Sequence, residues 1–191
     1  MAVLNEDYAI VLDYLAKGHP NAFKSEPTAQ VMGTEFFTLL EVVPKGELKI
    51  GEKIYVGKEE RDKVEYIKKR IPFKSLTSTA ISELEKTIEK TIEGNNEKFL
   101  DFFNAAGPIT IKRHQLELLP GFGKKHMLDL LKERDKKPFE SFEDIASRVK
   151  LVPNPMNSLV KRVMEELEYD DLKHYLFARP PAKERPFGRR P

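Results

Sequence analysis

The first part of the chain alternates short apolar runs with turn residues, a pattern typical of β-strands. The first run is Tyr8–Leu15. The second spans residues 30–43 and is long for one strand, and Gly33 is expected to form a bend or bulge within it. Two more runs cover residues 53–56 and 63–71. Several short strands at this spacing predict a small β-barrel over residues 1–75, and the residues leave open whether it is OB-like or SH3-like.

After Leu76 the apolar residues recur every three to four positions, which indicates helices. Thr77 is a candidate N-cap for a helix with one apolar stripe, formed by Ile81, Leu84, Ile88 and Ile92. A second helix, capped by Asn95 or Asn96, is rich in large apolar side chains: Phe99, Leu100, Phe102 and Phe103. We therefore predict that residues 76–108 form a buried helical connector.

Residues 109–170 are predicted to be all-α. We expect a helix over residues 110–119 capped by Thr110, a second over residues 123–134, a third capped by Ser141, and a fourth with an apolar stripe at positions 159, 163 and 167. Residues 171–191 are predicted to be a basic, proline-rich tail, of which residues 179–191 are not expected to fold alone. The chain is thus expected to be an α+β protein of two domains.

The turn at residues 119–125 is the strongest functional signal. Its sequence, Leu-Pro-Gly-Phe-Gly-Lys-Lys, places a Gly-x-Gly turn directly before a predicted helix. Free backbone amides at such a helix start can hold a phosphate oxygen, and the two lysines add positive charge. We predict a phosphate-binding helix-hairpin-helix with the candidate residues Gly121, Phe122, Gly123, Lys124, Lys125 and His126. The Phe122 side chain is expected to fill the core, and a purely structural turn with solvated lysines is the alternative.

A weak internal repeat supports a second hairpin. Shifting the chain by 33 residues aligns residues 118–123 with residues 151–156. In the second copy Asn154 is expected to adopt the left-handed conformation, whereas Pro155 has no amide to donate. We therefore predict that the first hairpin dominates phosphate contact and that the second is mainly structural, with Lys161 or Arg162 as a peripheral contact.

Charge is unevenly distributed, although the net charge is only +2. Residues 1–108 carry 15 Lys+Arg against 18 Asp+Glu, and residues 109–191 carry 18 against 13. The basic excess lies on the side of the first hairpin. Two more basic clusters are candidate nucleic-acid contacts: Lys68, Lys69 and Arg70 in a predicted strand, and Arg179, Lys183, Arg185, Arg189 and Arg190 in the tail. For the strand cluster, a charged edge that prevents self-association is the favoured alternative.

Several classes of function are disfavoured by what the sequence lacks. Without cysteine there is no disulfide, thiolate metal site or cysteine nucleophile. The four histidines, at positions 19, 114, 126 and 174, show no metal-ligand spacing, and no cofactor is expected. No apolar run approaches the length of a membrane span, so we expect a cytoplasmic protein without a membrane partner.

The chain also resembles known families. Residues 109–168 resemble the tandem helix-hairpin-helix module of competence and repair proteins, including the link at residues 138–145. The whole chain is similar to an archaeal family of unknown function described as predicted RNA- or nucleotide-binding; the barrel part of that resemblance rests on residues 48–57. Met127 departs from the hairpin pattern, which usually has a small residue there, and implies slightly wider helix spacing.

These observations favour a non-catalytic nucleic-acid-binding protein with little sequence preference. The resemblance favours RNA over DNA and implies a ribonucleoprotein or repair complex as a partner. The alternative is a protein-protein interaction module attached to translation or repair machinery. Helix-hairpin-helix glycosylases use a carboxylate downstream of the hairpin, where Asp135 and Asp144 lie. Because the β-rich N-terminal half does not offer the helical domain of such enzymes, we expect no catalysis.

Overall fold

Strands occupy the first part of the chain and helices most of the rest, as an α+β fold requires. The structure is a computed structural model that describes residues 6–20 and 25–180. Its strands are β1 (Tyr8–Leu15), β2 (Thr28–Gly33), β3 (Leu39–Pro44), β4 (Lys53–Tyr55), β5 (Val64–Arg70), β6 (Pro108–Thr110) and β7 (Arg113–His114). Its helices are α1 (Ser78–Gly94), α2 (Asn96–Ala105), α3 (Lys124–Lys136), α4 (Phe142–Arg148) and α5 (Pro155–Glu168), with 3-10 helices at Phe73–Ser75 and Gln115–Leu118.

Residues 30–43 belong to two strands rather than one. β2 ends at Gly33 and pairs with β3 in antiparallel fashion, with Ala29 opposite Val42. The turn between them is held by the buried carboxylate of Glu6, which accepts hydrogen bonds from the amides of residues 35, 36 and 38 at 2.9 to 3.1 Å. The run is indeed too long for one strand, but the expected bend or bulge at Gly33 is a full reversal of the chain, which a contact distant in sequence stabilises.

The larger sheet is antiparallel throughout and has the strand order β4-β1-β2-β3-β5. Among the described strands no ladder pairs β4 with β5, so hydrogen bonding leaves the sheet open at both edges. The choice between an OB-like and an SH3-like barrel stays a prediction.

Both faces of the sheet are apolar. Alternate residues of β1, β2 and β3, such as Val11, Val31 and Leu40, form one cluster on the side away from the helices. On the other side, Leu12 and Met32 join a second cluster that continues through all five α-helices. Every residue of β2 and β3 is consequently buried.

Helix α1 is fixed to the sheet through its N-cap residue, Thr77. The Thr77 hydroxyl accepts from the amide of Ala80 at 3.1 Å and donates to Asp13 at 2.6 Å, which confirms Thr77 as the N-cap. Of the predicted stripe, Leu84, Ile88 and Ile92 are fully buried. Ile81 is 41% exposed, and Ala80 takes its place against the core, because the buried face follows steps of four residues from position 80.

The aromatic helix α2 packs between the first turn of the internal repeat, residues 118–123, and the C-terminal segment, residues 171–180. Phe103 contacts Phe122 and Phe142, with ring centroids 5.9 and 6.0 Å apart, and Phe99 contacts Phe177 at 5.6 Å. Its buried residues, Phe99 and Phe103, were both predicted from the sequence.

The predicted helix over residues 110–119 was wrong. Residues 108–114 form the small hairpin β6–β7, followed by a single 3-10 turn. The Thr110 hydroxyl accepts from the amide of Lys112 in that hairpin, and His114 caps the 3-10 helix instead. The β-branched run from Ile109 to Ile111 favours extended backbone over helix, which accounts for the difference.

Candidate nucleic-acid interface

The first turn, residues 118–123, is built to a fixed shape by its neighbours. Gly121 has a φ of +85°, which glycine adopts without strain. A Cβ atom at this position would lie only 3.0 Å from the Pro153 side chain, so the two turns of the repeat touch here. The Ser158 hydroxyl donates to the carbonyl of Pro120 at 2.9 Å and adds a second link between them. The repeat thus predicted a pair of turns that the structure brings together.

Phe122 anchors the turn from inside. Its side chain is 3% exposed, and its amide donates to the carbonyl of Leu119 at 2.9 Å. The expectation that Phe122 fills the core is confirmed. Neither its ring nor its amide is left for a ligand, so Phe122 is removed from the candidate contacts.

Helix α3 begins immediately after this turn without a side-chain cap. Its N-cap residue, Gly123, has a φ of −80° and open space around the position of a Cβ atom. The amides of the first helical turn have no acceptor within the helix itself. The side chains of Lys124 and Lys125 are exposed beside them. This end of α3 therefore combines hydrogen-bond donors, the positive end of the helix dipole and two exposed cations.

His126 closes the same turn. Its Nδ1 atom lies 3.2 Å from the carbonyl oxygen of Gly121. When Nδ1 carries the proton, this contact is a hydrogen bond that links the first helical turn to the glycine before it. His126 is half-buried, so its main contribution is to the shape of the turn.

The second turn, residues 151–156, differs from the first because a side chain caps the helix that follows it. The Asn154 side chain accepts from the amide of Asn157 at 3.0 Å, and Pro155 occupies the first position of α5. The start of α5 is therefore already capped. Asn154 has a φ of −55°, so the prediction that it is left-handed was wrong; Leu151 has a φ of +58° instead.

The two peripheral candidates on α5 have different environments. Lys161 is exposed. Arg162 is 6% exposed; its Nε atom donates to Glu166 at 2.8 Å and its Nη2 atom to the carbonyl of His174 at 2.5 Å. The expectation that Arg162 reaches a phosphate is corrected, because its guanidinium is committed inside the protein.

The basic run of β5 lies on an edge strand of the larger sheet. Lys68 lies 3.8 Å from Glu26, and Lys69 lies 3.4 Å from the buried Glu41. Burial alone would raise the pKa of Glu41, but His19 and Lys69 hold that pKa below its ordinary value. Paired charges along an exposed edge agree with the alternative of an edge protected against self-association.

Arg70 and Arg179 meet each other. The Nη2 atom of Arg70 donates to the carbonyl of Arg179 at 2.5 Å, and the Arg179 guanidinium lies 4.9 Å from the centre of the Phe36 ring. Part of the predicted tail is therefore fixed to the protein. The other tail candidates, Lys183, Arg185, Arg189 and Arg190, lie outside the described residues.

Asp144, one of the two carboxylates considered for catalysis, has structural partners. It accepts from the amide of Glu140 at 3.1 Å and lies 3.0 Å from Arg148. Although burial opposes it, these contacts lower the pKa of Asp144. Asp135 is an exposed residue near the end of α3. The part of the chain that the structure describes contains no cluster of three or more metal-ligating side chains.

Pro153 and Ser158 support the first turn without having been predicted to do so, and Lys150, exposed beside the second turn, was not among the predicted contacts. The 33-residue repeat was the signal that could have found them, because it aligns the two turns.

No helix within the described ranges is long and apolar enough to cross a bilayer.

Fold and site together define an α+β protein that presents a glycine-lysine turn at the uncapped start of a helix. The chain belongs to the family described as "Protein of unknown function (DUF655)", whose model matches residues 5–179. It is 40% identical over 177 residues to the uncharacterized protein MJ0038 of Methanocaldococcus jannaschii, covering 91% of this chain and 80% of that protein.

A solved structure has the same fold. The crystal structure of Af1531 from Archaeoglobus fulgidus, also described as DUF655, matches with a TM-score of 0.84 and 46% sequence identity. The match covers 91% of this chain and 100% of that one. The archaeal family of unknown function expected from the sequence is thus confirmed.

Proposed function

We propose that this protein binds the phosphate backbone of nucleic acid, RNA in preference to DNA, and that it is not an enzyme. One observation carries the proposal: α3 begins uncapped at Gly123 beside exposed Lys124 and Lys125, whereas α5 begins with Asn154 as a cap. Although the two turns are in contact, they differ in whether a side chain caps the helix that follows.

Phosphate oxygens are negatively charged hydrogen-bond acceptors, so they are complementary to the uncapped start of α3. The amides donate, the helix dipole favours an anion, and the lysines neutralise it. Contacts of this kind fix the protein on the backbone and do not distinguish bases. We therefore propose binding with little sequence preference.

The finer architecture is part of the same proposal. The two touching turns support a tandem helix-hairpin-helix, although a 3-10 turn stands where the first helix was expected. An OB-like or SH3-like sheet domain would extend the contact; Lys68 and Lys69 on its edge would take part only by leaving Glu26 and Glu41. The preference for RNA rests on the family resemblance, since discrimination requires contacts to 2′-hydroxyls or splayed bases.

Substituting the N-cap tests the proposal without damaging the fold. The Gly123→Ser hydroxyl would accept from the first turn of α3, as Asn154 does in α5. We expect unfolding free energy to rise by a few tenths of a kcal/mol or stay the same, because a Cβ atom has open space there. Affinity for single-stranded RNA, measured by fluorescence anisotropy, should fall about three- to tenfold because one amide is occupied.

The matched control is Asn154→Gly, which removes the cap of α5 and should leave affinity unchanged. In the same assay, Lys124→Ala with Lys125→Ala should reduce the slope of log affinity against log salt by about 2. Lys86→Ala with Lys90→Ala, a pair of exposed lysines on α1, should leave affinity unchanged. Equal affinities for wild type, the Gly123→Ser variant and the Lys124/Lys125 variant would refute the proposal.

A second candidate function is a protein-interaction module. Leu128 on α3 and Leu151 in the second turn are 58% and 88% exposed, which favours an apolar contact on this side. If Leu128 and Leu151 bind a partner protein, that binding should be insensitive to salt. Without the partner, this chain should have little affinity for RNA or DNA.

A further inference from the structure

The small hairpin β6–β7 carries an apolar side chain at its tip. Ile111 and Lys112 form the two-residue turn between Thr110 and Arg113, and Ile111 is fully exposed. Tight turns favour Gly, Asn, Asp, Pro and Ser, so a β-branched residue opposes the local preference here. A single exposed isoleucine is common on protein surfaces, but this one contributes neither to the turn nor to the core. Departures of this kind are expected at functional positions.

The base of the hairpin is closed by hydrogen bonds. The Gly107 amide donates to Oε1 of Gln115 at 2.8 Å, and the Gln115 amide donates to the carbonyl of Gly107 at 3.0 Å. Glu117 accepts from the amide of His114 at 2.8 Å. These contacts stabilise a two-stranded hairpin that would be marginal by itself. Gly121 follows Gln115 by six positions, so the base of the hairpin lies at most about 20 Å from the first turn.

Two cations border the exposed isoleucine. Lys112 lies within the turn and Arg113 begins β7, and both side chains are exposed. Across residues 6–20 and 25–180, no carboxylate lies at ion-pair distance from either of them. An apolar tip with an uncompensated cationic border is complementary to a polyanion that also offers apolar faces, and nucleic acid is such a ligand.

We propose that the hairpin is a wedge that packs against unstacked bases of the RNA held by the first turn, an inference that rests on the proposed function. Ile111 contacts the face of a base, because its side chain has no group with which to hydrogen-bond a base edge. Lys112 and Arg113 contact the flanking phosphates. Apolar wedges enter a stack at the cost of unstacking it, and that cost is lowest where pairing is already interrupted. The ligand is therefore RNA with unpaired bases, not a perfect duplex.

Fluorescence anisotropy on the full chain tests this with RNA duplexes of one sequence, fully paired or carrying a bulge. The wild type should bind the bulged RNA at least about tenfold more tightly. Ile111→Thr keeps the β-branched shape and should weaken the bulged RNA about three- to tenfold, without affecting the paired one. The matched control, Ile81→Thr on α1, should change neither affinity. Lys112→Gln with Arg113→Gln should reduce the salt slope by about 2.

A second readout reports the contact itself. 2-Aminopurine beside the bulge fluoresces more strongly when it is unstacked. At saturating protein its fluorescence should rise with the wild type and stay at the level of free RNA with Ile111→Thr. A single strand of the same sequence identifies the source of the unstacked base. If it binds as tightly as the bulged duplex and is equally weakened by Ile111→Thr, the ligand is single-stranded RNA; if it binds more weakly, the ligand is an interrupted duplex.

Equal affinity of the wild type for paired and bulged RNA, or an unchanged preference in Ile111→Thr, overturns the inference. So does a partner protein whose binding needs Ile111 when the bulge preference does not. The Lys124→Ala, Lys125→Ala variant separates this inference from the proposed function. If that variant binds RNA as the wild type does, the first turn is not the backbone site, and a bulge preference that depends on Ile111 still supports the wedge. No binding of any RNA overturns both.

Discussion

Glu166→Gln is expected to be among the most destabilising conservative substitutions in this protein. Oε1 of Glu166 accepts from the Nε atom of Arg162 at 2.8 Å and from the amide of Leu176 at 2.6 Å. Oε2 accepts from the amides of Phe177 and Ala178 at 2.9 and 2.8 Å. One buried carboxylate thus neutralises a buried arginine and fixes the C-terminal segment against α5.

The magnitude follows from these contacts. Removing one partner of a buried ion pair costs about 3 to 5 kcal/mol, because the other charge stays buried without compensation. In the Gln variant, the new NH2 group also faces amides that can only donate, which adds to the loss. For a chain of this size each kcal/mol corresponds to about 2 to 4 °C, so the melting temperature should fall by roughly 6 to 20 °C.

Urea unfolding followed by circular dichroism measures the loss, and hydrogen exchange locates it. The amides of residues 176–178 should exchange faster in the Gln variant, ahead of the core of α5. Glu165→Gln is the matched control, because Glu165 lies 3.5 Å from the same arginine but its side chain is 41% exposed; it should cost less than about 1 kcal/mol. If both variants lose the same free energy, within 0.5 kcal/mol or so, the reasoning about burial is refuted.

Two more predictions concern backbone strain and pH. Leu151→Gly should raise the free energy of unfolding by about 0.5 to 1 kcal/mol, because Leu151 is left-handed and 88% exposed. Leu128→Gly, within α3, should lower it by about 1 kcal/mol, and a loss for Leu151→Gly would contradict the strain argument. Burial, and then Arg134, lower the pKa of His114 below 6.5, and its Nδ1 atom accepts from the amide of Leu116. The unfolded chain therefore binds the proton more readily, so the free energy of unfolding should decrease as the pH falls below 6.5. Urea midpoints measured from pH 5 to 8 should depend less on pH in the His114→Asn variant than in the wild type. The same pH dependence in both proteins would contradict this role of His114.

Local signals predicted much of the fold because they act within a few residues. Thr77 and Ser141 were recognised as N-caps, and both side chains make the capping bond. The stripe at positions 159, 163 and 167 of α5 is buried as its helical spacing required. The glycine-lysine turn was placed at the start of a helix, and α3 begins there.

Predictions failed where a distant contact decided the outcome. The reversal between β2 and β3 depends on Glu6, and residues 174–178 are fixed by Arg162 and Glu166. Arg162 was predicted as a phosphate contact because its type and position suited one. Its burial depends on a carboxylate one helical turn away and on a segment that returns to it.

The sequence by itself determined where the main sheet gives way to helices, which residues cap α1 and α4, and where a phosphate-binding turn should be sought. These features follow from periodicity, side-chain hydrogen bonding to nearby amides and the conformational freedom of glycine, all of which are local. Only the tertiary structure decided which cations are available. It places Lys124 and Lys125 at an open helix start, commits Arg162 to Glu166, and brings Arg70 to Arg179 across more than 100 residues of chain. The sequence specifies which side chains are cationic. Whether each of them can contact a ligand depends on which carboxylates and carbonyls the fold brings within hydrogen-bond distance.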